Sequence, residues 1–221
     1  MTALDMPLAW SIADRLCAAR GVTLVRPGSG ARDAVISALA LAHSLGLGGW
    51  TAEHARRYVT VTLPPVGSTL GALLSALPVV GIQLAMLCGD ETTIYLSPAA
   101  CKSPLALLST VAHELGHADQ IAKGGLMWCA AYGLVLEVRA GAEGACYGQD
   151  VAVTHALVGG DPHGLCEGAL QRLAGYGLDA PALALARGQL DVVERTLEHG
   201  GELGGPSHDV LEALRAAGVI S

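Results

Sequence analysis

Thr110-Val-Ala-His-Glu-Leu-Gly-His117 is the stretch on which the reading of this chain turns. His113 and His117 are four residues apart, so on a helix both imidazoles lie on one face, one turn above the other. Such a pair can grip Zn²⁺ at the usual nitrogen distance of about 2.0–2.1 Å. Glu114, next to the first histidine, points to the side, toward a metal-bound water rather than the metal. That division of labour suits hydrolysis. Zinc lowers the pKa of its water to about 7 and polarises a carbonyl, and a carboxylate handles the proton. The surroundings favour a helix. Ser103-Pro104 is a hydroxyl cap followed by proline at the first helical position. Leu105, Leu108, Val111, Ala112 and Leu115 then recur at helical spacing, and Lys123-Gly124-Gly125 is the expected stop.

Working outward, the residues ahead of this helix read as a hairpin. Ile82–Cys88 and Thr92–Ser97 are β-rich runs flanking Gly89-Asp90-Glu91. Behind it, helices are expected over Leu126–Leu136 and Arg139–Leu157, ended by Gly159-Gly160-Asp161-Pro162. Further helices are expected over 164–173, 181–187, 190–199 and 207–217, with glycine-rich joints between them. At the N-terminal side, Pro7–Arg20, Ala31–Leu45 and a short run from Thr51 read as helices. Tyr58–Leu63 reads as a strand, and Ser68–Leu77 as a short helix ended by Pro78.

With these residues in place, the chain resembles the zincin metallopeptidases over about Ile82–Val158. The resemblance implies an α+β fold, a mostly helical zincin-like domain with a small antiparallel or mixed sheet and the HExxH motif on its active-site helix. It implies one Zn²⁺ per chain, peptide or protein substrates, and Glu114 as the general base. It also implies an edge strand that binds extended substrate by strand addition, here Thr92, Thr93, Ile94, Tyr95 and Leu96. The metzincin pattern HExxHxxGxxH would need glycine and histidine where this chain has Gln120 and Lys123, which excludes that branch. The gluzincin branch takes its third ligand from a glutamate on a following helix. Glu143 is the favoured candidate, because Ala142-Glu143-Gly-Ala-Cys-Tyr147 is loosely similar to the ligand helices of that group; Glu137 is the reserve. Where many gluzincins carry an acidic residue four positions beyond the ligand, this chain has Tyr147, so Asp119 or Asp150 is the candidate to orient a ligand histidine. Tyr147, His155 and His163 are candidates to stabilise an oxyanion.

Composition bounds the remaining classes. The 221 residues divide by reading into an N-terminal helical region (1–63), a catalytic core (64–160) and a C-terminal helical region packed on it (161–221). Hydrophobic residues make up 52% and charged residues 15%, and there is no Phe, so Leu, Val, Ile and Ala must build the core. A net charge of −7 without any basic stripe argues against a nucleic-acid partner. Six cysteines with no CxxC pairing fit reduced thiols, and no signal peptide is read at the start, so a cytoplasmic location is expected. Mean hydropathy is +0.46, and Tyr58–Gly89 carries no charge. Yet Pro64, Pro65, Gly67, Pro78 and Gly81 break that stretch, so a membrane span is not expected.

Two rival readings stay open. HELGHA is also similar to the site-2 protease family, which works within the bilayer; that family needs several spans and a later Asp-Gly ligand, and Asp161-Pro162 is not one. A zinc-stabilised regulatory module without catalysis is the other, opposed by Glu114, because a structural site wants a closed shell and no general base.

Overall fold

The computed structural model describes residues 2–30, 32, 33, 57, 59–63 and 91–221. Among them the chain is mostly helical with a small mixed sheet, an α+β arrangement. The elements in order are α1 (Met6–Ala19), β1 (Thr23–Val25), β2 (Val61–Leu63), β3 (Thr93–Tyr95), α2 (Pro104–Leu134), α3 (Leu136–Val158), α4 (Pro162–Ala174), α5 (Ala180–Glu198) and α6 (Pro206–Ala216). They fall into two compact units, one of residues 1–16 and 104–221, the other of residues 17–103. The boundary expected at residue 160 therefore falls inside a unit, because α3 continues its packing directly into α4 and α5.

The helical unit is built on close approach. Leu107, Leu108, Val111, Ala112 and Leu115 of α2 are each fully buried, each worth about 1.5–3 kcal/mol for a Leu- or Val-sized side chain. The helix does break where Gly124-Gly125 predicts: Gly125 has φ 57° and ψ −152°, a conformation open to glycine, and helix resumes beyond it as far as Leu134. α3 is lined with small residues. A Cβ at Gly144 would stand 3.0 Å from the Ala186 Cα, and one at Gly148 2.7 Å from the Val193 Cγ2. These two glycines, one turn apart, let α3 seat against α5, whose Ala182, Ala186, Leu190, Val193 and Leu197 form its buried face. α4 and α5 begin alike: Asp161 accepts a hydrogen bond from the Gly164 N–H and Asp179 from the Ala182 N–H, each at 3.0 Å with proline following.

Two expected helices, 181–187 and 190–199, are one. Gly188 is exposed in the middle of α5 and costs only about 1 kcal/mol there, less than the unbroken buried face returns.

In the second unit the strand order is β1-β3-β2. β3 pairs parallel with β1 (Thr23 with Thr93, Val25 with Tyr95) and antiparallel with β2 (Val61 with Tyr95, Leu63 with Thr93). β1 was not expected from the sequence; besides its pairing with β3, its Val25 packs against Leu63 and Tyr95. The placement corrects the substrate-strand expectation for Thr92, Thr93, Ile94, Tyr95 and Leu96. Both edges of β3 are taken, the Thr92 carbonyl accepts from the Thr23 N–H, and the Leu96 N–H donates to the Val25 carbonyl. A strand whose backbone groups are paired on both sides cannot receive another chain. The expected hairpin partner Ile82–Cys88, the helix Ser68–Leu77, and nearly all of Ala31–Leu45 and Thr51–Arg57 lie outside the described residues. Among those described, no helix is long and apolar enough to cross a membrane.

Candidate metal centre

The buried part of α2 carries His113, Glu114 and His117, with 9%, 6% and 8% of their surface exposed; α3 brings Glu143, with 2%. Gly116 explains how the two helices come so close between the histidines. A Cβ there would lie 2.9 Å from the Cys146 Sγ, so the one residue of the motif without a side chain stands where α3 crosses. Glu143, one turn before Cys146 on α3, faces the imidazoles.

The metal-ligating atoms of His113, His117 and Glu143 lie within 4.8 Å of one another. His113 Nε2 is 3.5 Å from Glu143 Oε2, and His117 Nε2 is 3.4 Å from Glu143 Oε1. Tetrahedral bonds of about 2.0–2.1 Å separate two ligands by about 3.3–3.4 Å, so the spacing suits a shared ion. The donor set, two imidazole nitrogens and a carboxylate, is one that zinc accepts. Glu143 Oε2 is buried with no closer polar partner than His113 Nε2 at 3.5 Å, too long for a good hydrogen bond, a costly condition for a carboxylate oxygen that a bound cation would relieve. The cluster can hold a metal ion.

Electrostatics agree. Burial opposes ionisation of Glu143, but the two imidazoles facing it hold its carboxyl well below the usual range. Burial likewise pulls His117 down, and the neighbouring Cys146 and Glu143 outweigh it, leaving His117 well above its ordinary value. Burial pushes the Cys146 thiol up, and the Glu143 carboxylate faces the same imidazole. Positive charge is thus already favoured at this spot.

Three more side chains bear on the ligands. Gln120 lies one turn beyond His117; its Oε1 is 3.1 Å from His117 Nδ1, and its Nε2 donates to the Ala142 carbonyl at 3.2 Å. Tyr132, beyond the Gly125 break, donates its hydroxyl to Glu143 Oε1 and sets its ring against His117, centroids 5.8 Å apart. Burial beside Glu143 raises its pKa steeply, so it remains a donor. Tyr147 presents its ring to His113 at 4.7 Å and its hydroxyl to that of Tyr176 at 3.3 Å.

The other expected residues stand elsewhere. Glu137 is exposed in the first turn of α3 and outside the cluster. Asp150 pairs with Arg172 at 3.3 Å and accepts from the Thr154 hydroxyl, while Asp119 is half-buried on α2. Gln120, an amide, takes the place of either aspartate beside His117 Nδ1. His155 Nδ1 is 3.1 Å from the Gly160 carbonyl at the end of α3, and His163 pairs with Glu194 at 3.0 Å. Of the three oxyanion candidates, only Tyr147 touches the cluster. Gln120 and Tyr132 were missed for different reasons. Gln120 is three residues from His117, a spacing that puts two side chains on one helix face and so was findable; Tyr132 reaches Glu143 only through the fold.

No family model matches the chain, and neither the curated proteins nor the solved structures give a match.

Proposed function

We propose that this chain is a zinc-dependent metallohydrolase of zincin-like, gluzincin-like type that cleaves peptide bonds. The observation that carries the reading is the cluster of His113, His117 and Glu143, with ligand spacings of 3.4 and 3.5 Å and a buried carboxylate oxygen without a good hydrogen bond. A zinc ion held by these three residues would supply Lewis-acid polarisation of the scissile carbonyl and of a water molecule. The chain supplies the rest. Glu114, buried beside His113, takes a proton from the attacking water and returns it to the leaving amine, a role worth about 10²–10⁴-fold. Tyr132 donates to Glu143 and so keeps that carboxylate turned toward the histidines.

The test combines metal content with proteolysis. Purified protein should contain one zinc per chain, lose it in His117→Ala, and cleave casein until phenanthroline is added. Glu114→Gln should keep the zinc and lose the cleavage. Undiminished cleavage by Glu114→Gln would sink the mechanism. Zinc required for folding, with no cleavage of any peptide, would identify the cluster as a structural site in a regulatory protein.

A further inference from the structure

The geometry points to Gln120 as the positioning residue of this metal centre: one side-chain amide fixes which nitrogen of His117 faces the ligands and ties that histidine to the helix bearing Glu143. The inference deepens the metal reading above and rests on it.

The amide has two different ends, and each has one suitable neighbour. The Ala142 carbonyl can only accept, so the Gln120 NH₂ group must face it, at 3.2 Å. That leaves Oε1, an acceptor, 3.1 Å from His117 Nδ1. Nδ1 must then carry a hydrogen and donate it. In the metal-binding state the lone pair is therefore on Nε2, the nitrogen that stands 3.4 Å from Glu143 Oε1. The other polar neighbour of Nδ1 is the Cys146 sulfur at 3.5 Å, a weak partner in either role. Without the amide, His117 is at liberty to place its hydrogen on Nε2, where it would block the metal.

The second bond acts on the second ligand. Ala142 immediately precedes Glu143, so the bond from α2 to its carbonyl registers the two ligand-bearing helices at the centre itself. A carboxylate at position 120 could still accept from His117 but could not donate to Ala142. The two jobs can therefore be separated by substitution.

Zinc dissociation constants, measured by competition with a chromophoric chelator, are compared for wild type, Gln120→Met and Gln120→Glu. Gln120→Met keeps the length and loses both bonds; it should bind zinc about 10–100-fold more weakly. Gln120→Glu restores the acceptor alone and should recover most of that loss, while thermal unfolding of the metal-free protein should show it as destabilised as the methionine variant. If Gln120 were only a tie between helices, Gln120→Glu would bind zinc as weakly as Gln120→Met, and that result overturns the inference. Equal affinity in all three proteins overturns it too. Gln120→Ala gives the same comparison should the methionine variant fail to fold. A wild-type chain that takes up no zinc, and is indifferent to His117→Ala, removes the metal reading itself and this inference with it.

Discussion

The two stretches of α2 either side of Gly125 have opposite surroundings: the first mixes polar and apolar residues, the second is almost wholly apolar. Pro104–Gly124 sinks Leu107, Leu108, Val111, Ala112 and Leu115 completely, whereas beyond the break Met127 and Leu134 are 82% and 86% exposed. The buried half holds both histidines and Glu114. The exposed half holds Tyr132, tied down by its hydroxyl on Glu143, by Trp128 against its ring at 5.2 Å, and by the Arg139 side chain donating to its carbonyl. The histidine pair thus rests on deep apolar packing, and the hydrogen bond that steadies Glu143 comes from a segment held largely by polar contacts. Apolar sequence alone does not tell which half is which; burial depends on what lies opposite.

If the buried half is the chemical half, Glu114→Gln should lower proteolysis by about 10²–10⁴-fold with zinc retained, whereas Met127→Ser beyond the break should leave turnover nearly intact. Urea unfolding sharpens the contrast: Leu108→Ala should cost about 2–5 kcal/mol and Leu134→Ala no more than about 0.5 kcal/mol. Comparable losses would mean that the two halves are equally packed. Tyr132→Phe probes the polar tether and should cost about 1.5–3 kcal/mol, because a hydrogen bond to a buried carboxylate is lost; an unchanged midpoint would show that the exposed half contributes nothing. The smallest effect lies far from the break. His163 on α4 has its pKa raised by its hydrogen bond to Glu194. A raised folded-state pKa contributes stability in full below the unfolded value of about 6.5, and loses it as pH rises through the folded value. His163→Ala should therefore lower the Tm slightly at about pH 5.5 and not at about pH 9.

What could be read in advance was what neighbours in sequence impose. Ser103-Pro104 marked where α2 begins, Gly125 where it breaks, and Gly159 to Pro162 where α3 gives way to α4. Gly188 misled because it has the same chemistry as those joints; only the continuous face of Ala182, Ala186, Leu190 and Val193 explains why α5 runs through it. Thr92–Ser97 was legible as extended, yet its place in the middle of the sheet was not, since both partners, Thr23–Val25 and Val61–Leu63, come from distant positions.

By itself the sequence determined that His113, Glu114 and His117 share one helix and that its repeat stacks the two imidazoles, because helical geometry follows from spacing alone. It set Glu143 ahead of Glu137 only through a loose likeness to known ligand helices. Only tertiary structure decided for Glu143 over Glu137, by letting α3 cross at Gly116, and only tertiary structure brought Tyr132 to that carboxylate. A local pattern sets which way a side chain leaves its own helix; what it meets is set by the packing of the other elements.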